Sequence, residues 1–199
     1  FRHEAYEQYK AQREETPEAI RLSVPIIKDV IRAYRIPILE VAGYEADDVI
    51  GTLATEAGRQ GITTYMMTPD KDYGQLVSDR VFMYRPKHTG GFEVMGTEEV
   101  KTKFNIQTTE QVIDMLGLMG DASDNIPGCP GVGEKTAQKL IAEFGCIENL
   151  LEHTDQLKGA LKTKVETNRE MITFSKFLAT IKTDVPIRLD MNSLVREEP

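Results

Sequence analysis

The sequence predicts an α/β layer built on a parallel sheet, followed by a mainly helical second half. Strand-like and helical stretches alternate up to about residue 96, as they do in a parallel α/β sheet. The strands then stop. Within the first half, Ile62 to Thr68 is rich in β-branched and aromatic residues and reads as a buried strand.

Phe1 to Glu15 is polar, aromatic and mixed in charge. Tyr6, Tyr9, Lys10 and Arg13 follow the i, i+3, i+4, i+7 spacing of one helix face. Aromatics so placed can stack on unpaired bases while the cations meet phosphates. An ordinary solvated helix has the same pattern, and Glu4, Glu7, Glu14 and Glu15 cancel the positive charge. Thr16-Pro17-Glu18 reads as a helix start, with a Thr N-cap, Pro at the first position and an acid in the first turn. That helix should run to about Tyr34, with Pro25 marking a kink or a break.

Ile36 to Val41 reads as a short apolar strand, and Glu45 to Arg59 as a helix with Val49, Ile50, Leu53 and Ala57 on one face. Tyr73 to Val77 is a helical turn. Val81 to Tyr84 and Phe92 to Met95 read as strands around Gly90-Gly91. Thr97 to Phe104 and Thr108 to Met119 read as helices, the second opened by a Thr108/Gln111 capping box. Glu134 to Phe144 is another, and more follow to about Ile181. The composition shift near residues 96–120 suggests two units, 1–119 and 120–199.

Hydrophobic residues make up 40% of the 199-residue chain and charged residues 28%, which describes a globular protein. No apolar run approaches the ~18 residues of a membrane span. No cationic leader opens the chain. Cys129 and Cys146 are not a CxxC pair and fit reduced thiols. The expectation is therefore a cytoplasmic protein with no membrane partner. A net charge of −8 argues at first sight against nucleic acid.

Three acidic clusters answer that objection. Glu45, Asp47 and Asp48 lie where a strand gives way to a helix. Asp70 and Asp72 lie just past a strand's carboxyl end, and Asp121 and Asp124 lie between two helices. Sites in open α/β sheets form outside the carboxyl ends of the strands. Mg²⁺ takes only one or two direct carboxylates and keeps its waters. Seven carboxylates therefore suit two metals, ~3.5–4 Å apart, on a phosphodiester. Taken singly, each cluster also reads as a cap or turn. The seven hold seven of the eight net negative charges, so the rest of the chain is close to neutral. Bound Mg²⁺ would reverse the local sign and attract phosphate.

Ile126 to Ala137 is a Gly/Pro turn leading straight into a helix. Gly131 and Gly133 let backbone N–H groups approach a phosphate, and the helix N-terminus adds its dipole. Lys135 and Thr136 add a charge and a hydroxyl. Such a turn holds a DNA backbone without reading bases. A nucleotide P-loop is excluded by spacing, because Glu134 separates Gly133 from Lys135.

Together these residues resemble the 5′-nuclease domains of bacterial DNA polymerase I, within the flap endonuclease superfamily. The resemblance rests on Phe1 to Glu4 with Tyr9, Lys10 and Arg13, and on Gly43 to Ile50. Asp70-Lys71-Asp72 with Gln75 to Val77, Gly120 to Gly128, Gly131 to Ala137 and Ala179 to Asp184 complete it. It implies a PIN-like core with an arch segment over 1–34, then a helix-hairpin-helix region. It also implies metal-dependent phosphodiester hydrolysis at a 5′ end, nick or flap of DNA, with two Mg²⁺ or Mn²⁺ ions. By position, Glu45, Asp47 and Asp48 match the more direct ligands. Asp70 and Asp72 stand between the metals' shells, and Asp121 and Asp124 match the second metal's ligands. Arg2, Tyr9, Lys10 and Arg13 match the segment that engages the 5′ strand, with Lys10 and Arg13 stabilising charge at the scissile phosphate. Gly131, Val132, Gly133, Lys135 and Thr136 match the duplex-backbone contact, which in the wider superfamily can also hold K⁺. A polymerase portion in the same full-length chain is the implied partner.

The family also has an aspartate on a first strand and another shortly before Phe1-Arg2, and neither is in this sequence. The chain should therefore bind metal poorly and cut slowly or not at all. It should also expose a sheet edge or an apolar face. Two other readings share these features: a non-catalytic duplex-binding module and a PIN-type ribonuclease.

Overall fold

In the computed structural model, which describes residues 1–87 and 89–195, three strands form one sheet in the order β1-β2-β3. β1 (Thr64–Met67) is parallel to β2 (Val81–Pro86), with Thr64 opposite Val81. The two-residue period of a pleated strand sorts the side chains. Met66, Val81, Met83 and Met95 go to the core. On the other face Tyr65 stacks on Phe82 and Tyr84 on Phe92.

The sheet is mixed rather than wholly parallel. β3 (Phe92–Met95) runs antiparallel to β2. Lys87 to Gly91 is too short for the crossover that a parallel neighbour needs. Gly90 and Gly91, both at positive φ, close a hairpin in which Lys87 N donates to Gly91 O at 3.0 Å. Ile36 to Val41 forms no strand. Among the described residues no strand pairs with it, and without a ladder an apolar run does not hold strand geometry.

Helices surround the sheet. α1 (Arg2–Ala5) is short, and α2 spans Glu18–Ala33 without interruption at Pro25. Its N-cap is Pro17 rather than Thr16. α3 (Ala46–Arg59) packs on the sheet, with Val49, Ala54 and Ala57 buried and Ile50 exposed. A 3₁₀ turn covers Lys71–Leu76. α4 (Thr97–Phe104), α5 (Gln111–Met119) and α6 (Glu134–Phe144) follow. α7 (Ile147–Glu152), α8 (Gly159–Thr167) and α9 (Arg169–Ala179) close the helical half. In the Thr108/Gln111 pair only one arm forms: Gln111 Oε1 accepts from Thr108 N at 3.2 Å.

α5 joins the two halves. Val112 and Leu116 enter the core under the sheet, while Met115 and Leu118 enter a second core with α6, α7 and α9. The chain after α9 returns to α3, where a Cβ on Gly51 would meet the Ile181 side chain at 2.6 Å.

Apolar surface is exposed at two places. α2 buries none of its residues, and Ile20, Leu22, Ile26, Ile27 and Val30 are exposed. β1 is an edge strand whose Met67 is 74% exposed. No helix among the described residues is long and apolar enough to cross a membrane.

Candidate active site

The first acidic cluster sits at the start of α3, where carboxylates complement the helix dipole. Asp48 is 0% exposed and is held by Arg2, itself 4% exposed. The guanidinium donates from Nη1 and Nη2 to both Asp48 oxygens, each at 2.9 Å, and from Nη1 to Glu45 Oε2 at 2.8 Å. Arg2 also donates to the carbonyls of Leu178 and Thr180, and Lys182 N donates to Asp48 Oδ1. Burial alone would raise the Asp48 carboxyl, but the Arg2 fork and the backbone donors outweigh it and hold it below the usual range. Asp48, expected among the direct ligands, thus has both oxygens committed to Arg2. Arg2, expected at DNA, is a buried strut.

Residues 8–13 do not continue a helix. Lys10 adopts φ +56°, and the segment wraps the loop of the third cluster. Lys10 N donates to Asp124 O at 3.0 Å, Gln12 Nε2 to Ala122 O at 2.5 Å, and Asn125 Nδ2 to Gln8 O at 2.6 Å. The side chains Tyr9, Lys10 and Arg13 converge there all the same. Tyr9 Oη donates to Glu45 Oε2 at 3.1 Å and stands 3.2 Å from Asp124 Oδ2. Lys10 Nζ lies 2.6 Å from Glu45 Oε1 and 3.6 Å from Asp124 Oδ2, and Arg13 Nη2 lies 2.5 Å from Asp124 Oδ1. Tyr9 is only 2% exposed, so its ring offers no face to a base. Clusters one and three therefore share one neighbourhood, although their residues lie far apart in sequence.

The third cluster is shaped by backbone. Asp121 and Ile126 exchange both backbone hydrogen bonds. Gly120 at φ +73° faces Ile126 O, where a Cβ would come within 2.5 Å. That turn aims Asp121 at the second cluster. Lys71 Nζ bridges them, pairing with Asp121 Oδ2 and lying 3.2 Å from Asp72 Oδ1. The Lys71–Asp72 contact is an ion pair without hydrogen-bond geometry, so the buried Asp72 Oδ1 has no hydrogen-bond partner. Burial pushes the Asp72 carboxyl up to about 6; Asp70 and Asp121 add to the rise, and Lys71 opposes it. Asp70 is exposed and caps the 3₁₀ turn by accepting from Asp72 N at 3.0 Å. Asp47 accepts from the buried Tyr73 hydroxyl at 2.8 Å.

Among the described residues no three of these carboxylates form a preformed cluster, because Arg2, Lys10, Arg13 and Lys71 stand between them. An all-carboxylate donor set nonetheless suits a hard divalent cation. The unpartnered Asp72 oxygen is the group that such an ion would satisfy. A folded-state carboxyl raised to about 6 costs stability above that pH, and the cost is relieved as pH falls through it. Asp72→Asn should therefore stabilise the chelator-treated protein at neutral pH by about 1–2 kcal/mol, read from its denaturation midpoint. A lower midpoint would contradict this.

The hairpin at residues 128–133 lies on the second core. Val132 is buried and anchors it, whereas Gly131, Gly133 and Lys135 are exposed. Gly133 is the N-cap of α6 and supplies no capping side chain. Gly131 adopts φ +76°, with the Lys164 side chain folded against it. Gly131→Ala must strain the backbone and displace Lys164, so a loss of about 1–2 kcal/mol in stability is expected, measured by thermal denaturation. An unchanged melting temperature would show that the turn is more plastic.

Lys71, Tyr73 and Lys164 were not singled out from the sequence. Lys71 sits within the Asp70-Lys71-Asp72 motif, and its position between two acids was the available signal. Tyr73 and Lys164 carry no local mark, since their partners Asp47 and Gly131 are distant in the chain.

Comparison with known proteins gives a consistent picture. Residues 1–105 match the model of the 5′-3′ exonuclease N-terminal resolvase-like domain, and residues 107–199 that of the 5′-3′ exonuclease C-terminal SAM fold. The chain is 44% identical over 196 residues to DNA polymerase I of Bacillus caldotenax, covering 98% of this chain and 22% of that protein. It is 42% identical over 200 residues to the thermostable DNA polymerase I of Thermus filiformis, covering 100% and 23%. It thus spans about a fifth of the length of these curated relatives. Among solved structures, the zinc-bound bacteriophage T5 5′-exonuclease superposes with a TM-score of 0.74 at 24% identity, over 92% of this chain and 70% of that one. The catalytic core of Rad2 with DNA gives 0.65 at 16%, over 100% and 66%. At these identities the structural likeness establishes the fold.

Proposed function

Because the chain belongs to the 5′-3′ exonuclease family, we propose that it is a structure-specific 5′-3′ exonuclease and flap endonuclease acting on DNA, the nuclease part of a DNA polymerase I. The observation that supports this most is the convergence of three carboxylate clusters beyond the carboxyl end of β1, with a glycine hairpin and an open helix N-terminus following in the same chain. The T5 flap endonuclease has been solved as a pseudo-enzyme-product complex with DNA and metal ions, which suits this assignment.

Glu45, Asp47, Asp70, Asp72, Asp121 and Asp124 would hold two Mg²⁺ or Mn²⁺ ions. Such ions, when bound, supply Lewis-acid stabilisation of the attacking and leaving oxygens of a phosphodiester. Asp48 positions Arg2, and through it Glu45. Lys10 and Arg13 add positive charge at the scissile phosphate, and Arg13 is exposed enough to reach it. Gly131, Gly133, Lys135 and Thr136 hold the duplex backbone, and the hairpin carbonyls are the place for a K⁺ ion. We divide the chain at 119/120 into a nuclease core and a DNA-binding helical region.

The test is cleavage of end-labelled 5′-flapped, nicked and blunt duplexes by the full-length protein, with and without Mg²⁺ or Mn²⁺. Metal-dependent cuts near the flap junction are expected, and an RNA strand of the same form should survive. A second reading, a non-catalytic duplex-binding module, is favoured by the intramolecular cation at each carboxylate cluster. Intact strands under saturating metal and protein would establish it.

A further inference from the structure

Among the described residues four cations contact the acidic clusters, and Lys71 differs from the other three. Arg2 is fixed by two carbonyls as well as by its carboxylates. Lys10 and Arg13 belong to the segment assigned above to phosphate. Lys71 lies between Asp72 and Asp121, and among the described residues those two acids are its polar partners. Its ammonium is a flexible point charge that can leave without disturbing the backbone.

We propose that Lys71 is a built-in competitor for a divalent cation, its ammonium and the metal contending for the facing oxygens of Asp72 and Asp121. This rests on the metal-dependent nuclease reading. Three features of the geometry support it. The Asp72 and Asp121 side chains that face Lys71 are only 15% and 6% exposed, so their charges are poorly screened by water. Asp121 is buried and also accepts from Ser123 N at 2.8 Å and from Ser123 Oγ at 2.5 Å, which fixes Oδ1 and leaves Oδ2 to Lys71. Asp72 Oδ1 faces the same ammonium without completing a hydrogen bond, so lysine satisfies this pair of acids incompletely. A divalent ion with its own waters would satisfy both acids. Lys71 then does two things. It keeps two like charges from repelling one another, and it sets the threshold of metal concentration above which the site fills. It is a positioning residue, acting on the metal through Asp72 and Asp121.

The test is Mn²⁺ titration by calorimetry at low ionic strength, with melting temperatures in chelator. Lys71→Met keeps the aliphatic stem and removes the charge. It should bind Mn²⁺ at least about tenfold more tightly than the parent and melt lower in chelator, with the difference removed by Mn²⁺. Lys71→Gln serves the same purpose should the methionine variant fold poorly. Unchanged or weaker Mn²⁺ affinity in both variants, with Asp121→Asn still abolishing binding, would overturn the lysine inference alone. Mn²⁺ binding indifferent to Asp121→Asn, or absent throughout, would overturn both it and the metal reading beneath it.

Discussion

Asp121→Asn in the full-length protein is expected to lower single-turnover cleavage of a 5′-flapped duplex by about 10²-fold or more, while duplex affinity stays within about twofold. Asp121 is buried at the end of a turn closed by Gly120 and the Asp121–Ile126 bridge. Asparagine is isosteric there and keeps the bonds from Ser123 through its carbonyl oxygen, so the loop should hold its shape. What disappears is the negative charge facing Asp72. The duplex contacts proposed above, Gly131 to Thr136, lie apart on the hairpin and the start of α6, which is why binding and cleavage should part. Undiminished cleavage would remove Asp121 from the mechanism. Equal loss of binding and cleavage would show instead that the loop had collapsed.

Arg2→Met should be the most destabilising single change, costing about 3–5 kcal/mol in denaturant unfolding of the metal-free protein. The cost comes from what is left behind. Asp48 would stay buried with both oxygens deprived of their guanidinium, and the carbonyls of Leu178 and Thr180 would lose their donor. Arg2→Lys should recover little, because an ammonium cannot reproduce a two-pronged contact to Asp48 together with the remaining partners. A loss below about 1 kcal/mol for the methionine variant would mean that water reaches Asp48.

The parts of this site that could be read from sequence are those written in local pattern. Asp70 and Asp72 follow a β-branched strand, Glu45 to Asp48 open an amphipathic helix, and glycines at 131 and 133 precede a second helix; each signal lies within about ten residues. The arrangement around Lys10 could not be read in this way. A helical spacing of Tyr6, Tyr9, Lys10 and Arg13 predicts one helix face, yet the chain turns at Lys10 because residues 8–12 bond to loop 122–125. Tertiary hydrogen bonds more than a hundred residues apart override a modest propensity there. The same side chains still reach the acids, by a route the periodicity does not describe. Ile36 to Val41 fails for the complementary reason, since a strand needs a neighbour that its own sequence does not reveal. The surroundings of Arg2 and Tyr9 were not legible because burial is not written in local sequence: both are enclosed and bonded to the acidic site.

The proposed chemistry depends on a divalent cation held by these carboxylates. Electron paramagnetic resonance of Mn²⁺ titrated into the full-length protein and into its Asp121→Asn variant measures this directly. Saturable loss of the free Mn²⁺ signal is expected with the parent protein, and a marked weakening of that loss with the variant. A free-ion signal that grows in proportion to added Mn²⁺ for both proteins would contradict it.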